Sequence, residues 1–111
     1  MRVEYGKTSL LFMGDAEVSS EELLLQKYKF GKLRSDIIKL GHHGSETSSS
    51  LNFLQAVSPS VAIISCGVDN TYGHPHAKIL HRLESEGIAY HRTDKEGSIV
   101  YIINADGYAP K

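Results

Sequence analysis

The fold is decided by the stretch Ile37-Ile38-Lys39-Leu40-Gly41-His42-His43-Gly44-Ser45, which is followed by a helix-like run from Ser49 to Val57. A short apolar run that contains isoleucines indicates a buried strand, and the glycine-bearing turn after it ends that strand. The stretch therefore predicts a strand, a polar turn with two histidines, and a helix.

Similar units lie on both sides of this stretch. Leu10 to Asp15 precedes a helix from Ser19 to Lys29, and Val61 to Ser65 precedes a loop and a helix that reaches Glu86. Successive strand–turn–helix units favour parallel neighbouring strands, whose turns gather at one edge of the sheet. We predict an α/β (α+β) domain with a mixed β-sheet and helices on one face.

The bulk composition sets limits on the class of protein. A chain of 111 residues with 41% hydrophobic residues fits one globular domain over residues 1–111. A net charge of -1 gives no overall attraction for nucleic acid, and the single Cys66 excludes an internal disulfide. No apolar run is long enough to span a membrane, so we expect the chain as given to be soluble.

Two helix starts carry recognisable capping signals. Ser19 and Glu22 have the spacing of a capping box. His74 followed by Pro75 predicts a helix with the histidine as cap and the proline at the first helical position.

The end of the chain predicts two further strands. They run from Ile88 to Arg92 and from Ser98 to Ile103, and close around the turn Asp94-Lys95-Glu96-Gly97. We expect Asp106 to Lys111 to form a loose tail.

Three groups of residues supply candidate metal ligands, at Asp15, at His42-His43 and at His74. Carboxylate and imidazole groups at one sheet edge are typical ligands of a hard or borderline metal ion. Adjacent histidines point in different directions, so we assign His42 to the metal and His43, with Ser45, to catalysis. A capped loop with two exposed histidines is the alternative.

Polar residues beside these histidines suit an anion. Ser45, Thr47 and Ser48 precede a helix N-terminus, where hydroxyls and amides can bind phosphate. Asn70 and Tyr72 are further candidates for contacts with a substrate. In Gly73-His74-Pro75-His76 we expect His74 to face the cleft and His76 to lie on the surface.

The motifs resemble a known family. The stretches Leu11-Phe12-Met13-Gly14-Asp15, Asp36 to Ser45 and Tyr72 to His76 occur in this order in the metallo-β-lactamase-like domain of ComEC/Rec2 DNA-internalisation competence proteins. The stretch Arg92 to Ile99 is similar to the closing hairpin of that family. The resemblance covers nearly the whole chain.

The resemblance implies a four-layer αββα sandwich with a two-metal hydrolytic site that acts as a nuclease or phosphodiesterase. Asp15 matches the metal-bridging aspartate, and either His42 or His74 matches the late histidine ligand. Zinc or manganese is the implied metal, DNA the implied substrate, and a bacterial cell-membrane protein with this domain outside the bilayer the implied parent.

One departure from the family is decisive. The early His-x-His-x-Asp-His cluster is absent from the sequence. The chain therefore resembles only the C-terminal half of the domain, and its expected partner is the missing N-terminal half. We expect weak or no metal binding, and no hydrolysis, by the isolated chain.

Two functional hypotheses follow. The chain is either part of a metal-dependent hydrolase linked to DNA uptake, or a non-catalytic binding or structural domain that keeps the fold and an anion site. A half-sandwich would leave one sheet face bare, so we expect a homodimer. Strand alternation suggests Leu11, Met13, Val100 and Ile102 as residues of that face.

Overall fold

The computed structural model describes residues 1–29 and 31–111. The strands are β1 (Arg2–Tyr5), β2 (Thr8–Phe12), β3 (Ile37–Lys39), β4 (Val61–Ile64), β5 (Ala89–Arg92), β6 (Tyr101–Asn104) and β7 (Gly107–Pro110). The helices are α1 (Val18–Lys27), α2 (Leu51–Val57), α3 (Ala77–Ser85) and the short α4 (Thr93–Glu96), with a 3₁₀ turn at Gly41–Gly44.

The main sheet has the strand order β1-β2-β3-β4-β5. β1 pairs antiparallel with β2, and β2 to β5 are parallel neighbours in chain order. Helices α1, α2 and α3 each connect one parallel strand to the next. The predicted mixed α/β sheet is therefore confirmed, and its parallel part has four strands rather than three.

One side of the sheet, the helix-covered face, carries the core. Leu11, Ile38 and Ala62 lie side by side in register on β2, β3 and β4, and all three are buried. They belong to one hydrophobic cluster with residues of α2 and α3, against which two leucines of α1 pack. The expected placement of these helices on one side of the sheet is confirmed.

The other side of the sheet, the open face, is less completely covered. Its residues alternate along each strand with those of the helix-covered face. They are Val3, Leu10, Phe12, Ile37, Lys39, Val61 and Ile63. Phe12 is 39% exposed, whereas Ile37 is buried. Ile99 and Tyr101 join the open face around a groove of about 190 Å³, so the segment leading into β6 borders it.

The four residues proposed for a bare sheet face are placed elsewhere. Leu11 belongs to the helix-covered core, and Met13 packs against it. Val100 and Ile102 are exposed, but Tyr101 between them is the residue that borders the open face. The expectation was wrong for Leu11 and Met13 because Leu10 to Met13 is apolar on both faces, so alternation alone cannot tell which face the helices cover.

Two helix starts also differ from the capping signals. α1 begins at Val18 with Glu17 as cap, and the Val18 amide donates to the Thr47 carbonyl at 2.9 Å. α3 begins at Ala77 with His76 as cap, and the His74–Pro75 peptide bond is cis. At α2, the Ser50 hydroxyl caps the helix by accepting from the Phe53 amide.

The end of the chain forms different pairs from those predicted. β5 joins β4 in parallel, α4 replaces the expected turn, and β6 pairs with β7 in a separate two-stranded sheet. Residues Gly107 to Pro110 are thus a strand and not a loose tail. Within the described residues, no helix is long and apolar enough to cross a membrane.

Candidate functional site

The turns after β2, β3 and β4 meet at one edge of the sheet, where the parallel strands end. They enclose a cleft of about 240 Å³ lined by Asp15, His42, His43, Tyr72 and His74. The structure therefore brings together the three groups of candidate ligands. A second cavity of about 170 Å³ shares His43, Tyr72 and His74 and adds Asn70 and Cys66.

The turn that carries the two histidines has a left-handed backbone. The φ angles are 48° at His42, 57° at His43 and 81° at Gly44. Such angles cost a non-glycine residue roughly 1–2 kcal/mol, and backbone strain of this kind is concentrated at functional sites. The surrounding contacts hold the turn in place, since the His42 amide donates to the Gly14 carbonyl at 2.9 Å.

Two glycines let the turn pack closely against its neighbours. A Cβ atom at Gly41 would lie 2.6 Å from the Ala16 carbonyl oxygen, and one at Gly44 would lie 2.7 Å from the Pro75 Cβ. These close approaches dock the histidine turn onto the segment after β2 and onto the loop before α3. Packing therefore accounts for the two glycines of the Gly-His-His-Gly motif, whereas its histidines are the candidate ligands.

His43 is oriented by a backbone carbonyl. Its Nδ1 lies 2.7 Å from the Ser65 carbonyl oxygen, which can only accept, so Nδ1 carries a proton and, in the neutral imidazole, Nε2 has a free lone pair. Nε2 lies 3.7 Å from Asp15 Oδ1, and the Asp15 side chain is 81% exposed. A carbonyl that fixes the tautomer in this way is the usual outer partner of a metal-ligating histidine.

His42 points towards a different set of groups. Its Nδ1 lies 3.3 Å from Thr47 Oγ1 and 3.9 Å from Glu17 Oε1. Thr47 Oγ1 is also 2.9 Å from the Ser45 hydroxyl, and Ser45 itself is buried. His42, Thr47 and Ser45 therefore form one hydrogen-bonded group at the rim of the cleft.

The rings of His42, His43 and His74 form a triangle in the cleft, with the centroids of His42 and His43 6.4 Å apart. The His74 ring centroid is 5.7 Å from that of His42 and 6.2 Å from that of His43. Burial, reinforced by repulsion from His76, His42 and His43, lowers the pKa of His74 below its ordinary value. The neutral imidazole favoured by this shift is the form that binds a metal.

Two of the residues predicted to contact a substrate instead form hydrogen bonds within the loops. The Asn70 side chain accepts from the His74 amide at 2.9 Å and donates to the Gly67 carbonyl at 3.0 Å. Ser48 is fully buried, and its hydroxyl donates to the Gly41 carbonyl at 2.9 Å. Both side chains brace the loops that carry the histidines.

His76 holds two loops together, a role that the sequence did not suggest. Its Nδ1 accepts from the Glu46 amide at 2.9 Å, and its Nε2 lies 3.1 Å from the Tyr72 carbonyl, to which it donates. Both ring nitrogens are therefore occupied, and the residue is half-buried rather than a free surface histidine. The spacing His-Pro-His gave no signal for the contact with Glu46, because that residue is 30 positions away.

The donor set fits a metal ion only in part. An oxygen from Asp15 and the free nitrogen of His43 suit zinc or manganese, which accept oxygen and imidazole ligands. Over residues 1–29 and 31–111, however, no group of three or more His, Cys, Asp or Glu side chains is arranged to hold a metal ion.

The chain is similar to segments of larger competence proteins. It is 43% identical over 107 residues to "Competence protein ComA" of Neisseria gonorrhoeae, which covers 96% of this chain and 15% of that protein. It is 39% identical over 99 residues to "ComE operon protein 3" of Bacillus subtilis, covering 89% of this chain and 12% of the relative. No family model matches the chain.

These similarities support the resemblance to ComEC/Rec2-type competence proteins that the motifs indicated. A third relative, "Recombination protein 2" of Haemophilus influenzae, is 39% identical over 97 residues and is matched over 12% of its length. The chain therefore corresponds to a segment that spans well under a fifth of each of these proteins.

Proposed function

We propose that this chain supplies one side of a metal-dependent phosphodiester hydrolase site, of the metallo-β-lactamase type, that acts on DNA during competence. The observation that carries the proposal is the His43 imidazole. It is fixed by the Ser65 carbonyl so that its free Nε2 faces Asp15, in a cleft shared with His42 and His74. The similarity to competence proteins supplies the link to DNA uptake.

The geometry favours roles for the histidines that differ from those assigned from sequence. Asp15 and His43 are the first choice as ligands, because their donor atoms face each other at 3.7 Å. His74, whose neutral form is favoured, is the next candidate, and His42 with Thr47 is better placed to contact a phosphate oxygen. A bound zinc or manganese ion would supply Lewis-acid activation of water and of the phosphoryl group.

Ser45 and Thr47 extend this site towards the substrate. Thr47 is exposed beside His42, whereas Ser45 is buried and holds the Thr47 side chain and amide through its hydroxyl. We therefore propose that Thr47 contacts an anionic substrate and that Ser45 positions it.

The open face of the sheet is the proposed surface for a partner. Phe12 and Val3 are each 39% exposed there, next to half-buried Leu10 and Ile63. In a larger membrane protein with this domain outside the bilayer, an N-terminal half-domain would cover the open face and complete the ligand set. In the isolated chain, we propose that a second copy covers the same face.

Metal binding is tested by calorimetric titration of the 111-residue chain with Zn²⁺ and Mn²⁺. We expect one ion per chain with micromolar or weaker affinity, because two or three ligands hold an ion less tightly than a closed four-ligand site. Asp15→Ala and His43→Gln should each weaken binding at least tenfold. The matched controls Asp106→Ala and His81→Gln, at exposed positions outside the cleft, should not.

Equal affinity in Asp15→Ala and the wild type would contradict the proposed metal site. It would favour the second candidate function, a non-catalytic binding domain with an anion site. The observation that favours this alternative is the lack of a three-ligand group in the described parts of the chain.

A chimera separates the two functions in a cell. This chain would replace the segment that it matches in the gonococcal competence protein, and transformation by DNA would be measured. The hydrolase proposal expects Asp15→Ala to lower transformation at least tenfold and Asp106→Ala to leave it unchanged. If Asp15→Ala transforms like the unsubstituted chimera, the chain has a binding or structural role.

A further inference from the structure

Tyr72 is the most exposed aromatic side chain at the cleft, and 76% of its surface is accessible. It borders both the 240 Å³ cleft and the adjoining 170 Å³ cavity. Its ring stacks on that of His74, with centroids 5.6 Å apart and an interplanar angle of 19°. One face of the phenol is thus supported by the imidazole while most of the ring remains open to solvent.

The loop around Tyr72 is held by hydrogen bonds on both sides. The Tyr72 carbonyl accepts from His76 Nε2, and the Asn70 side chain bonds both the amide and the carbonyl of His74 at 2.9 Å and 2.6 Å. A large exposed aromatic group would ordinarily bury itself or move freely. Here the backbone is fixed before any ligand binds, which reduces the entropy that binding would cost.

We infer that Tyr72 is a stacking platform for a nucleobase next to the phosphate that the cleft receives, so that the site takes single-stranded nucleic acid. This inference rests on the proposed function, in which Asp15 and His43 hold the metal ion and His42 with Thr47 contacts a phosphate oxygen. Stacking on a tyrosine requires a base whose face is free, and a base within a duplex is already stacked on its neighbours. The platform therefore selects single strands and accepts any base.

The open side of the ring suits a flat, weakly polar ligand. His74 lies beneath the platform with its ring nearly parallel to that of Tyr72, so a flat ligand on the open side would extend the existing stack. Alanine substitution at base-stacking aromatics costs about 1–3 kcal/mol per base, which is about a 5- to 150-fold change in affinity.

The test compares two fluorescein-labelled oligonucleotides of 12 units, one of thymidines and one of abasic sites with the same backbone charge. Binding to the 111-residue chain is measured by fluorescence anisotropy with EDTA present. The wild type should bind the thymidine strand about tenfold more tightly than the abasic strand. Tyr72→Ala should abolish that preference by weakening thymidine binding alone, while Tyr72→Phe should keep it.

The control variant is Tyr5→Ala, which removes an exposed tyrosine from β1 at the margin of the main sheet and should leave the preference unchanged. Thermal unfolding would verify that all variants fold. The inference is overturned if Tyr72→Ala retains the tenfold preference, or if the wild type binds neither strand or both equally. Asp15→Ala should keep the preference for bases, so loss of the metal site and loss of the platform give separate results.

Discussion

The two faces of the sheet differ in how completely the chain covers them. On the helix-covered face, Ile64 and Ala62 are entirely inaccessible, whereas on the open face Ile63 is half-buried and Phe12 is 39% exposed. Ala62, Ile63 and Ile64 are consecutive apolar residues of the same strand, β4. The chain therefore closes one hydrophobic layer completely, whereas the other is only partly covered, by the short segment around Tyr101.

We expect the largest effect, a loss in the free energy of unfolding, from truncating an isoleucine on the helix-covered face. Its neighbour on the open face supplies the comparison. Ile64→Ala leaves a cavity in a closed core, so we expect the free energy of unfolding to fall by about 3–4 kcal/mol. Ile63→Ala removes a half-buried side chain and should lower it by about 1 kcal/mol. Urea denaturation of both variants measures the difference, and equal losses would show that the open face is as closed as the other.

The next largest effect on the free energy of unfolding is expected from a buried carboxylate on the helix-covered side. Glu21 of α1 is 1% exposed and accepts from the Ser50 amide at 2.9 Å, near the start of α2. Glu21→Ala leaves that donor without its partner, so we expect a loss of about 2 kcal/mol in the free energy of unfolding. Its exposed neighbour supplies the control, since Glu22→Ala should change stability by about 0.5 kcal/mol or less.

Self-association tests the open face directly. Phe12→Asp places a charge on the proposed contact surface, so the dissociation constant of a homodimer should rise at least tenfold in sedimentation equilibrium. Ile102→Asp, at an exposed position away from the groove, should leave it unchanged. A wild-type chain that stays at 12.2 kDa at every concentration would exclude the homodimer.

The smallest effect concerns pH. Burial raises the pKa of Glu21 above its ordinary value of 4.5, although hydrogen bonds from Ser50 and Ser49 oppose the shift. A pKa that is higher in the folded state contributes stability that is fully present below pH 4.5 and is lost as the pH rises through the folded pKa. Relative to Glu21→Gln, the wild type should therefore lose stability between acidic and neutral pH. A constant difference in urea midpoint across that range would contradict the shift.

Some features of the cleft could be predicted from sequence and others could not. Asp15, His42 and His74 each follow a strand–turn–helix signal, and parallel strands bring such turns to one edge. The orientation of His43 could not be predicted, because it depends on the Ser65 carbonyl, 22 positions away. The contact between His76 and the Glu46 amide could not be predicted for the same reason, because Glu46 lies in a loop 30 positions away.

Hydrophobic periodicity and turn residues act locally, so the amino-acid sequence was enough to predict the strands β2, β3 and β4, their helices and the edge at which candidate ligands meet. The face of the apolar run from Leu10 to Met13 that the helices cover is fixed by packing in three dimensions. Packing also decides that β5 joins the main sheet while β6 pairs with β7. Those choices depend on competition among distant surfaces for burial, and a local pattern that is apolar on both sides favours neither outcome.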